Sequence, residues 1–576
     1  MVNSEKLPLV QPADGLRCAQ PTRSRKSRLG SRLAIISITF AFVVFFNYSG
    51  TSAIFPSKPT QGPQCTQVEP LWPTKKTDSL AQMDEYLDSG KFRNESISRL
   101  AGAVQIPSES YDDLGVIGED KRWDTMYDVA AYLEKTFPLV HSTLQLEKVN
   151  THGLFFTWKG TDESLKPSVF MAHQDVVPVA QATINQWTYP PYSGTYDGRS
   201  VWGRGSADCK NNLIGILEAV ELLISAGYTP KRTVVLSFGF DEEISGAQGA
   251  GHLAKAIEER YGKDGIALIV DEGAGTVPAF GAFFATPAVT EKGYIDIEVI
   301  VRVPGGHSSV PPPHNGIGVM AEFITVVESN RYTPYLDPEN PFLELLQCGA
   351  VHGPDFPSKW KKLLPSKGKD NPKRTAKLAQ EVAESSDFFK YLFTTSQAVD
   401  IIGGGVKSNA LPERTTALIN HRVNIGEKVE DVKQHLIKLA TPLAAKYNLT
   451  LHAFDDRPET PSSITLKTEK GLEPAPLTPT NTDTVTPYLV ISGTTRALYG
   501  EDVYLAPALM TGNTDTKFYW DLTKNIFRYG PGWDPEEEAG LAGIHTVDEK
   551  ISVKHHVNLV KWFSLFIRNI DEAELA

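Results

Sequence analysis

The sequence predicts an α/β fold, because short apolar runs typical of buried strands alternate with helical patterns along most of the chain. Four of these runs end in small or polar residues followed by a carboxylate or an imidazole. They are SVFMAHQD (168–175), VWGRGSAD (201–208), TVVLSFGFDEE (233–243) and ALIVDEG (267–273). In an open α/β sheet, ligands and catalytic side chains gather at the carboxyl ends of the strands. The four runs therefore predict one functional site at that edge of one sheet.

Helical segments separate these runs, as an α/β fold requires. The stretch SRLAGAVQIP (98–107) and the stretch over 124–137 carry apolar residues at helical spacing. A further helix is predicted between Asn212 and Ala226, where the spacing is typical of a helix that packs on a sheet. Because this helix starts soon after Asp208, we expect its amino end to lie near the site.

The pattern changes near residue 291, which indicates a second domain inserted into the first. Strand and helix patterns alternate there, over 294–303, 319–329, 415–425, 430–447 and 448–454. This order predicts an inserted α+β domain over 292–465. The first domain is then formed by 81–291 and 466–576. Between the halves of the inserted domain, residues 350–395 are charged and helix-prone, and we expect a peripheral insertion there.

The amino-terminal part of the chain has the composition of a membrane anchor. A basic tail (1–32) precedes an uncharged, largely apolar stretch (33–55), and about 20 such residues suffice to cross a bilayer. The charge distribution predicts a cytosolic tail, a transmembrane signal anchor and a type II orientation. A Pro- and Thr-rich stalk over 56–80 would follow. A cleaved signal peptide is the alternative.

Translocation of the chain would have two further consequences. The sequons at Asn94 and Asn448 would face glycosylating enzymes. Three cysteines, Cys65, Cys209 and Cys348, would lie on the lumenal side, and this odd number predicts no disulfide framework.

Composition and charge exclude several classes of protein. A hydrophobic fraction of 41% and a charged fraction of 22% are ordinary for a globular protein and exclude a collagen-like or wholly disordered chain. The formal net charge is −12, and no basic stripe interleaved with aromatic residues is present in the sequence. Nucleic acid is therefore excluded as a partner.

Five side chains in these segments are compatible with zinc: His173, Asp208, Glu243, Asp271 and His545. Each motif alone is common in proteins; an acidic triplet such as 241–243 is often a solvated turn, and a lone histidine is often a surface residue. Together, two imidazoles and three carboxylates can give each of two zinc ions a histidine and a carboxylate, with the fifth residue bridging. The combination predicts a hydrolytic centre with two zinc ions per subunit.

Two neighbouring acids have the positions of supporting groups. Asp175 lies two residues after His173, on the same face of an extended strand, where it can orient the imidazole. Glu242 adjoins a predicted ligand but points elsewhere, so it is the best candidate for the general base. Cys209 follows Asp208 directly and is expected to be a small buried residue that lines the site, with metal ligation as the alternative.

These residues closely resemble the co-catalytic di-zinc peptidases that include aminoacylase and glutamate carboxypeptidase, with the fungal carboxypeptidase S group nearest. The matching motifs run in order over roughly 80–570: MAHQDVVPV, WGRGSADCKNN, FDEEISG, VDEG, VPGGHSS, GNTDTKFYW and GIHTVDEKI. The resemblance implies a catalytic domain with a mixed, mostly parallel sheet flanked by helices. It also implies that the inserted α+β domain is a lid or dimerisation domain.

The resemblance further implies a role for each matching residue. His173 and Asp271 would bind one zinc ion, Glu243 and His545 the other, and Asp208 would bridge them. Asp175 would support His173, and Glu242 would serve as general base. His307 in GGHSS would help to stabilise the oxyanion, sometimes from a neighbouring subunit.

Substrate contacts are implied in the same way. Asn409 matches an asparagine that contacts substrate in the family. Lys517 stands in Thr-Asp-Thr-Lys, where relatives hold the substrate's carboxylate with arginine. Lysine offers the charge without the planar fork. Arg422 is expected to be structural, because Asn420 replaces the usual acidic residue.

The function implied is a membrane-anchored, zinc-dependent carboxypeptidase that cleaves the C-terminal bond of short Gly-X peptides in the vacuole. A homodimer through the lid domain is a further expectation. The first alternative is an N-acyl-amino-acid hydrolase or synthase that uses the same site. The second is a catalytically silent, membrane-tethered binding protein.

Overall fold

The structure is a computed structural model, and it describes residues 64–365, 371–455, 457–537 and 543–575. The predicted basic tail, the signal anchor and the start of the stalk lie outside the described residues. Among the helices that are described, none combines the length and the apolar character needed to cross a membrane.

Helices occupy much of the described chain. The α-helices are α1 (Asp78–Leu87), α2 (Gly90–Val104), α3 (Thr125–Thr136), α4 (Pro138–Thr143), α5 (Lys210–Ser225), α6 (Ala250–Tyr261), α7 (Gly316–Ser329), α8 (Phe342–His352), α9 (Ser358–Lys361), α10 (Pro372–Ser385), α11 (Asp387–Tyr391), α12 (Val429–Lys446), α13 (Pro487–Tyr499) and α14 (Val553–Glu572). Short 3-10 helices cover Lys121–Asp124, Gln181–Gln186, Glu242–Ile244 and Asp515–Phe518.

The strands form two main sheets and three small ones. They are β1 (Gln145–Val149), β2 (Gly153–Trp158), β3 (Ser168–His173), β4 (Thr195–Tyr196), β5 (Ser200–Trp202), β6 (Val234–Gly239), β7 (Leu268–Ala274), β8 (Thr276–Ala279), β9 (Ala282–Ala285), β10 (Ala288–Glu291), β11 (Gly293–Arg302), β12 (Gly306–His307), β13 (Ala398–Gly404), β14 (Ala410–Leu411), β15 (Arg414–Val423), β16 (Thr450–Ala453), β17 (Ser463–Lys467), β18 (Gly471–Leu472), β19 (Val503–Leu505), β20 (Ala508–Met510), β21 (Ile526–Tyr529) and β22 (Lys550–Ser552).

The larger sheet has the strand order β1-β2-β6-β3-β7-β21-β10-β20. Its centre, from β6 through β3 and β7 to β21, is parallel, and antiparallel pairs lie on both sides. The predicted mixed sheet flanked by helices is therefore confirmed. Since His173 pairs with Gly239, the ends of β3 and β6 lie side by side.

Both faces of this sheet are covered, which explains why its central strands read as continuous apolar runs. Every residue of β3 is buried. Val169 and Met171 pack in a cluster with α6. Phe170 faces the opposite side, where its ring centroid lies 5.8 Å from that of Phe563 and 6.0 Å from that of Phe566 in α14. Helix α5 packs beside α14 on this face.

A second sheet covered by helices lies in the segment where the sequence predicts an inserted α+β domain. This sheet has the order β13-β15-β11-β17-β16, with β18 also paired to β11. Helices α7 and α12 pack on it and share an apolar cluster with its strands. Because β18 ends at Leu472, the sheet continues beyond the predicted limit at residue 465.

Part of the predicted stalk is packed on the body of the protein, which corrects the prediction for 64–77. The Leu71 N–H donates to the Gly493 carbonyl at 2.9 Å, and the Asn569 side chain donates to the Leu71 carbonyl at 2.9 Å. The Gln67 side chain exchanges two hydrogen bonds with the Leu505 backbone, at 2.7 and 2.9 Å. The backbone groups of Leu71 are satisfied by the body of the protein, so this segment does not behave as a free linker.

A disulfide joins Cys65 in this segment to Cys348 in α8, across a sequence separation of 283. The bond was missed because the cysteine count alone gave an odd set, in which Cys209 is the free member. Helices α8 to α11 share an apolar cluster with Phe284 and Leu509 of the first domain. The segment predicted as a peripheral insertion is therefore tied to the first domain.

Candidate metal centre

The ends of adjacent parallel strands bring the predicted ligands together. β3 ends at His173, and β6 ends just before the acidic triplet 241–243. β7 lies on the other side of β3 and carries Asp271 and Glu272. The strand-end arrangement predicted from the sequence therefore holds for three of the four runs.

Asp208 reaches the site by a different route from the one predicted. Strand β5 ends at Trp202 and belongs to a small sheet with β4 and β22. Gly203 (φ +142°) and Gly205 (φ +87°) then turn the chain through conformations that favour glycine. Asp208 therefore lies in a turn that leads directly into α5, and not at the end of a sheet strand.

The donor atoms form two groups that share Asp208. In the first group, His173 Nε2 lies 3.1 Å from Asp208 Oδ1 and 3.4 Å from Glu272 Oε1. In the second group, His545 Nε2 lies 3.1 Å from both Asp208 Oδ2 and Glu243 Oε2. His545 thus converges with residues from the first half of the chain, which is the geometry that a bridged metal pair requires.

Glu272 is the acid of VDEG whose carboxylate lies within 4.8 Å of the donor atoms of His173 and Asp208, and the expectation that Asp271 is a ligand stays a prediction. Asp271 Oδ1 accepts the N–H of Glu272 at 2.9 Å. The Cys209 sulfur is also within 4.8 Å of the donor atoms of His173, Asp208 and Glu272. It accepts the His173 N–H at 3.2 Å and is buried, so it helps to fix the end of β3.

Asp175 holds several residues of the centre in place through hydrogen bonds. Its Oδ1 lies 3.2 Å from His173 Nδ1, as expected for a carboxylate that orients a metal-binding imidazole. It also accepts the backbone N–H groups of Glu242 and Glu243, both at 3.1 Å. The Ser110 hydroxyl donates to Asp175 Oδ2 at 2.6 Å. One buried carboxylate therefore fixes the imidazole and the acidic turn together.

The electrostatics of the centre are those of acids held close together out of water. Burial raises the pKa of Glu243 to about 7, with the neighbouring charge of Asp208 adding to the shift. Burial and the charge of Glu272 raise the pKa of Glu242 well above its ordinary value. Hydrogen bonds to Asp208 and Glu243 raise the pKa of His545 to about 10.

Two acids of the centre behave oppositely because imidazoles face them. Burial alone would raise the pKa of Asp208, but hydrogen bonds from His173 and His545 hold it below its ordinary value. In the same way, hydrogen bonds from His173 and Ser110 outweigh burial and lower the pKa of Asp175. Both acids are therefore kept as carboxylates.

The residues fit zinc. Buried Glu243 Oε1 and Asp271 Oδ2 have no hydrogen-bond partner within the described part of the chain. Uncompensated oxygens of this kind are costly unless a cation lies beside them. Imidazole nitrogens combined with carboxylate oxygens form a donor set that zinc accepts.

The remaining predicted residues lie outside the donor groups. His307 and Asn409 are exposed and adjacent in the inserted domain, because His307 pairs with Ala410 between β12 and β14. Lys517 Nζ lies 5.2 Å from the centre of the Phe518 ring, and its charge opposes the raised pKa of Asp241. Arg422 donates to Asn513 Oδ1 at 3.0 Å, next to the segment that carries Lys517.

Three residues that organise the centre were missed by sequence reasoning: Ser110, Glu272 and Glu549. Glu272 adjoins a predicted ligand, so the pair of acids in VDEG was the available signal. Ser110 and Glu549 act through contacts with chain segments distant in sequence. No local pattern marks such contacts.

The fold and the two donor groups are those of a metal-dependent hydrolase. A sequence profile of Peptidase family M20/M25/M40 matches residues 169–569. Carboxypeptidase S of Saccharomyces cerevisiae is 40% identical, with 95% of this chain and 98% of that protein covered. The chain therefore belongs to peptidase family M20/M25/M40, and the predicted class of metal-dependent peptidase is confirmed.

More distant proteins share the architecture. The bovine N-fatty-acyl-amino acid synthase/hydrolase PM20D1 is 31% identical, with 82% of this chain and 88% of that protein covered. The structure of an M20 family metallo-carboxypeptidase from Sulfolobus solfataricus aligns with a TM-score of 0.57 at 19% identity, covering 83% of this chain and 99% of that one. This structural likeness confirms the fold.

Proposed function

We propose that this protein is a zinc-dependent carboxypeptidase that hydrolyses the C-terminal peptide bond of short Gly-X peptides. The observation that carries the proposal is the convergence of two imidazoles and three carboxylates in two groups that share Asp208. The 40% identity to Carboxypeptidase S over nearly the whole chain supports this substrate class.

Two zinc ions would be held by these groups. His173, Asp208 and Glu272 would hold one ion, and Asp208, Glu243 and His545 the other. When bound, a zinc pair acidifies water and polarises the scissile carbonyl. Asp175 keeps the His173 ring oriented through Nδ1, which leaves Nε2 directed at Asp208 and Glu272.

Glu242 is the proposed general base. Its backbone N–H is fixed by Asp175, and its half-buried side chain belongs to neither donor group. Asp241, the other such acid of the turn, is occupied by the N–H groups of Gln248 and Gly249. A carboxylate with a raised pKa can take a proton from the attacking water and return it to the leaving amine. Burial and Glu272 provide that raised pKa.

Lys517, Asn409 and His307 are the proposed contacts for the rest of the substrate. Lys517 Nζ lies over the Phe518 ring, so its charge can pair with the substrate's terminal carboxylate. His307 and Asn409 form one exposed pair that can contact the reacting carbonyl only when the inserted domain meets a catalytic centre.

A homodimer would provide such a meeting. Strand β13 is an edge strand of the inserted sheet, and Ile401 and Ile402 on it are 61% and 58% exposed. An exposed apolar edge strand is a surface that pairs readily with another chain. We therefore propose that two inserted domains pair along β13 and that His307 of one subunit serves the centre of the other.

The proposed location is the vacuolar lumen, with the chain held by its amino-terminal anchor in a type II orientation. The disulfide between Cys65 and Cys348 supports an oxidising folding compartment, because such bonds are rare in cytosolic proteins. Asn94 and Asn448 are both exposed and remain the candidate glycosylation sites.

The second candidate function is hydrolysis or synthesis of N-acyl amino acids. The 31% identity to the bovine N-fatty-acyl-amino acid enzyme favours it, since the same centre would attack an acyl amide. The substrates differ in the acyl side: a second amino acid in the first case, a long apolar chain in the second. A catalytically silent binding protein would turn over neither.

The test is hydrolysis by the purified, zinc-loaded protein. We expect N-blocked Gly-Leu to be cleaved at least tenfold faster than a long-chain N-acyl leucine, and the amide of Gly-Leu to be resistant. Glu242→Gln should abolish turnover while both zinc ions remain bound. Preference for the N-acyl amino acid would favour the second function, and absence of any chelator-sensitive hydrolysis would refute both.

A further inference from the structure

The short segment 543–552 carries two functional groups that face the same neighbour. His545 reaches Asp208 through its imidazole, and Glu549 reaches the backbone before Asp208 through its carboxylate. Asp208 and Glu549 are 341 positions apart in sequence. A segment near the end of the chain therefore holds the loop that carries Asp208, the carboxylate shared by both donor groups.

The Glu549 carboxylate makes this contact; it is fully buried and accepts hydrogen bonds from four donors. Glu549 Oε1 accepts the N–H groups of Gly205 at 3.0 Å, Ala207 at 2.9 Å and Asp208 at 3.1 Å. Glu549 Oε2 accepts from Arg204 Nη1 at 2.6 Å. Charge-assisted hydrogen bonds of this kind are about twice as strong as neutral ones.

A second contact holds the same segment from its other side. Asp548 accepts the Thr188 N–H at 2.7 Å and the Thr188 hydroxyl at 2.9 Å. His545 (φ +58°) and Asp548 (φ +63°) both lie in the left-handed region, which non-glycine residues adopt when surrounding contacts hold them there. The conformation that presents the imidazole therefore depends on contacts made by its neighbours.

His545 itself has few other restraints. Its side chain is 55% exposed, whereas the His173 side chain is 2% exposed. The His173 ring is held by packing and by Asp175, but the His545 ring touches two carboxylates at a solvent-facing edge. The distance from His545 to Asp208 must then be set by the backbone. The Gly203 N–H donates to the Glu549 carbonyl at 2.9 Å and β22 pairs with β5, while the Glu549 carboxylate adds the bonds that reach the turn of Asp208 itself.

We propose that Glu549 is a positioning residue that fixes the separation of His545 and Asp208 and thereby sets zinc affinity in the group of Asp208, Glu243 and His545. This inference rests on the proposed function, because it assumes that the group binds zinc. Glu549 touches neither substrate nor metal in this role. It acts through the turn that carries Asp208.

The experiment compares Glu549→Gln with a matched control, Asp571→Asn, in the full-length protein. Asp571 is also buried and multiply bonded: it accepts the N–H groups of Lys231 and Arg232, both at 2.7 Å, and the Tyr228 hydroxyl at 2.8 Å. It lies in α14, away from both donor groups. Both variants lose one buried negative charge and keep an amide oxygen that can still accept, but only Glu549→Gln weakens the bonds to the turn that carries Asp208.

Zinc binding is measured by competition with a chromophoric chelator and normalised to the folded fraction from circular dichroism. We expect Glu549→Gln to weaken one of the two zinc equivalents by roughly 10–100-fold, the range found for groups that orient metal ligands. The other equivalent should weaken less, because it shares Asp208 but keeps His173 and Glu272. Peptidase activity should fall at limiting zinc and recover to within about tenfold of wild type in excess zinc, since affinity is what the change alters.

Asp548→Ala is the second variant, because it loosens the same segment at a half-buried position and is less disruptive than a change at Glu549. It should weaken the same zinc equivalent. The proposal is overturned if Glu549→Gln retains both zinc equivalents at wild-type affinity, or if Asp571→Asn loses zinc to the same extent. A wild-type protein that binds fewer than two zinc ions would instead contradict the proposed function.

Discussion

Replacing Glu272 and Asp271 one at a time determines which acid of VDEG serves the metal centre. Glu272→Gln removes a charge that lies 3.4 Å from His173 Nε2. Asp271→Asn can keep its present contact, because an amide oxygen can still accept the Glu272 N–H. The two variants are isosteric and adjacent, so each is the control for the other.

The expected magnitudes follow from these positions. A group that only orients a metal ligand typically contributes 10–100-fold in affinity, which corresponds to about 1.4–2.7 kcal/mol. A charged donor within the group must exceed that range, so Glu272→Gln should weaken one zinc equivalent by more than about 100-fold. Asp271→Asn should weaken it by roughly tenfold, since only the support of the Glu272 backbone is perturbed.

The assay is chelator competition on the folded protein, with peptide hydrolysis as a second readout at matched zinc concentrations. Asp271 Oδ2 is buried and has no hydrogen-bond partner in the described chain, so this oxygen is also able to bind a zinc ion. If Asp271→Asn loses zinc and Glu272→Gln keeps it, the assignment of Glu272 is refuted. The resemblance-based expectation for Asp271 would then stand.

Three further predictions concern groups outside the donor atoms. Burial lowers the pKa of His421 to about 4, so between pH 6.5 and pH 4 the unfolded chain binds the proton first and the native state loses up to about 3 kcal/mol. Urea unfolding at pH 7.5 and pH 4.5 should show His421→Leu resisting acid better than wild type; an equal loss in both would refute this. Ser110→Ala should lower kcat/KM about 10–100-fold, because a buried charge-assisted hydrogen bond contributes about 1.5–3 kcal/mol. Ser108→Ala, which loses a buried bond to a neutral carbonyl, is the control and should cost less. Replacing Cys65 and Cys348 together by serine should lower the unfolding free energy by about 2–5 kcal/mol in non-reducing urea titrations, and an unchanged midpoint would contradict that.

The strands that build the catalytic sheet could be predicted because burial on both faces leaves a continuous apolar run. In β3 all six residues are buried, and the run ends where His173 begins the polar site. The same reasoning placed β6 before the acidic triplet. Strand ends in a parallel sheet meet at one edge, so the approximate composition of the centre followed from local patterns alone.

The choice between Asp271 and Glu272 could not be made that way. Alternation along a strand assigns faces only while the strand is regular. Near the end of β7 the pairing with β21 shifts register between Arg528 and Tyr529, and Gly273 adopts φ +150°. The local backbone therefore decides which acid faces His173, and that conformation is set by tertiary contacts.

Contacts between distant segments could not be predicted from the sequence, for a related reason. Three features join residues that are far apart in the chain: the Cys65–Cys348 bond, the packed segment 64–77 and the hydrogen bonds of Glu549. Composition suggested a flexible stalk, because proline and threonine are common in linkers. Composition does not record that a partner surface satisfies the backbone polar groups of that segment.

The two imidazoles divide the centre into a fixed side and an open side. His173 is buried against Asp175 and Cys209, and its side chain is only 2% exposed. His545 is more than half exposed and stands on a segment held by polar contacts. We therefore expect substrate to reach the shared carboxylate Asp208 from the side of His545. A residue that fixes the segment of His545 also fixes the position of this imidazole. We therefore expect the contacts of that segment to affect zinc affinity, although His545 itself is exposed to solvent.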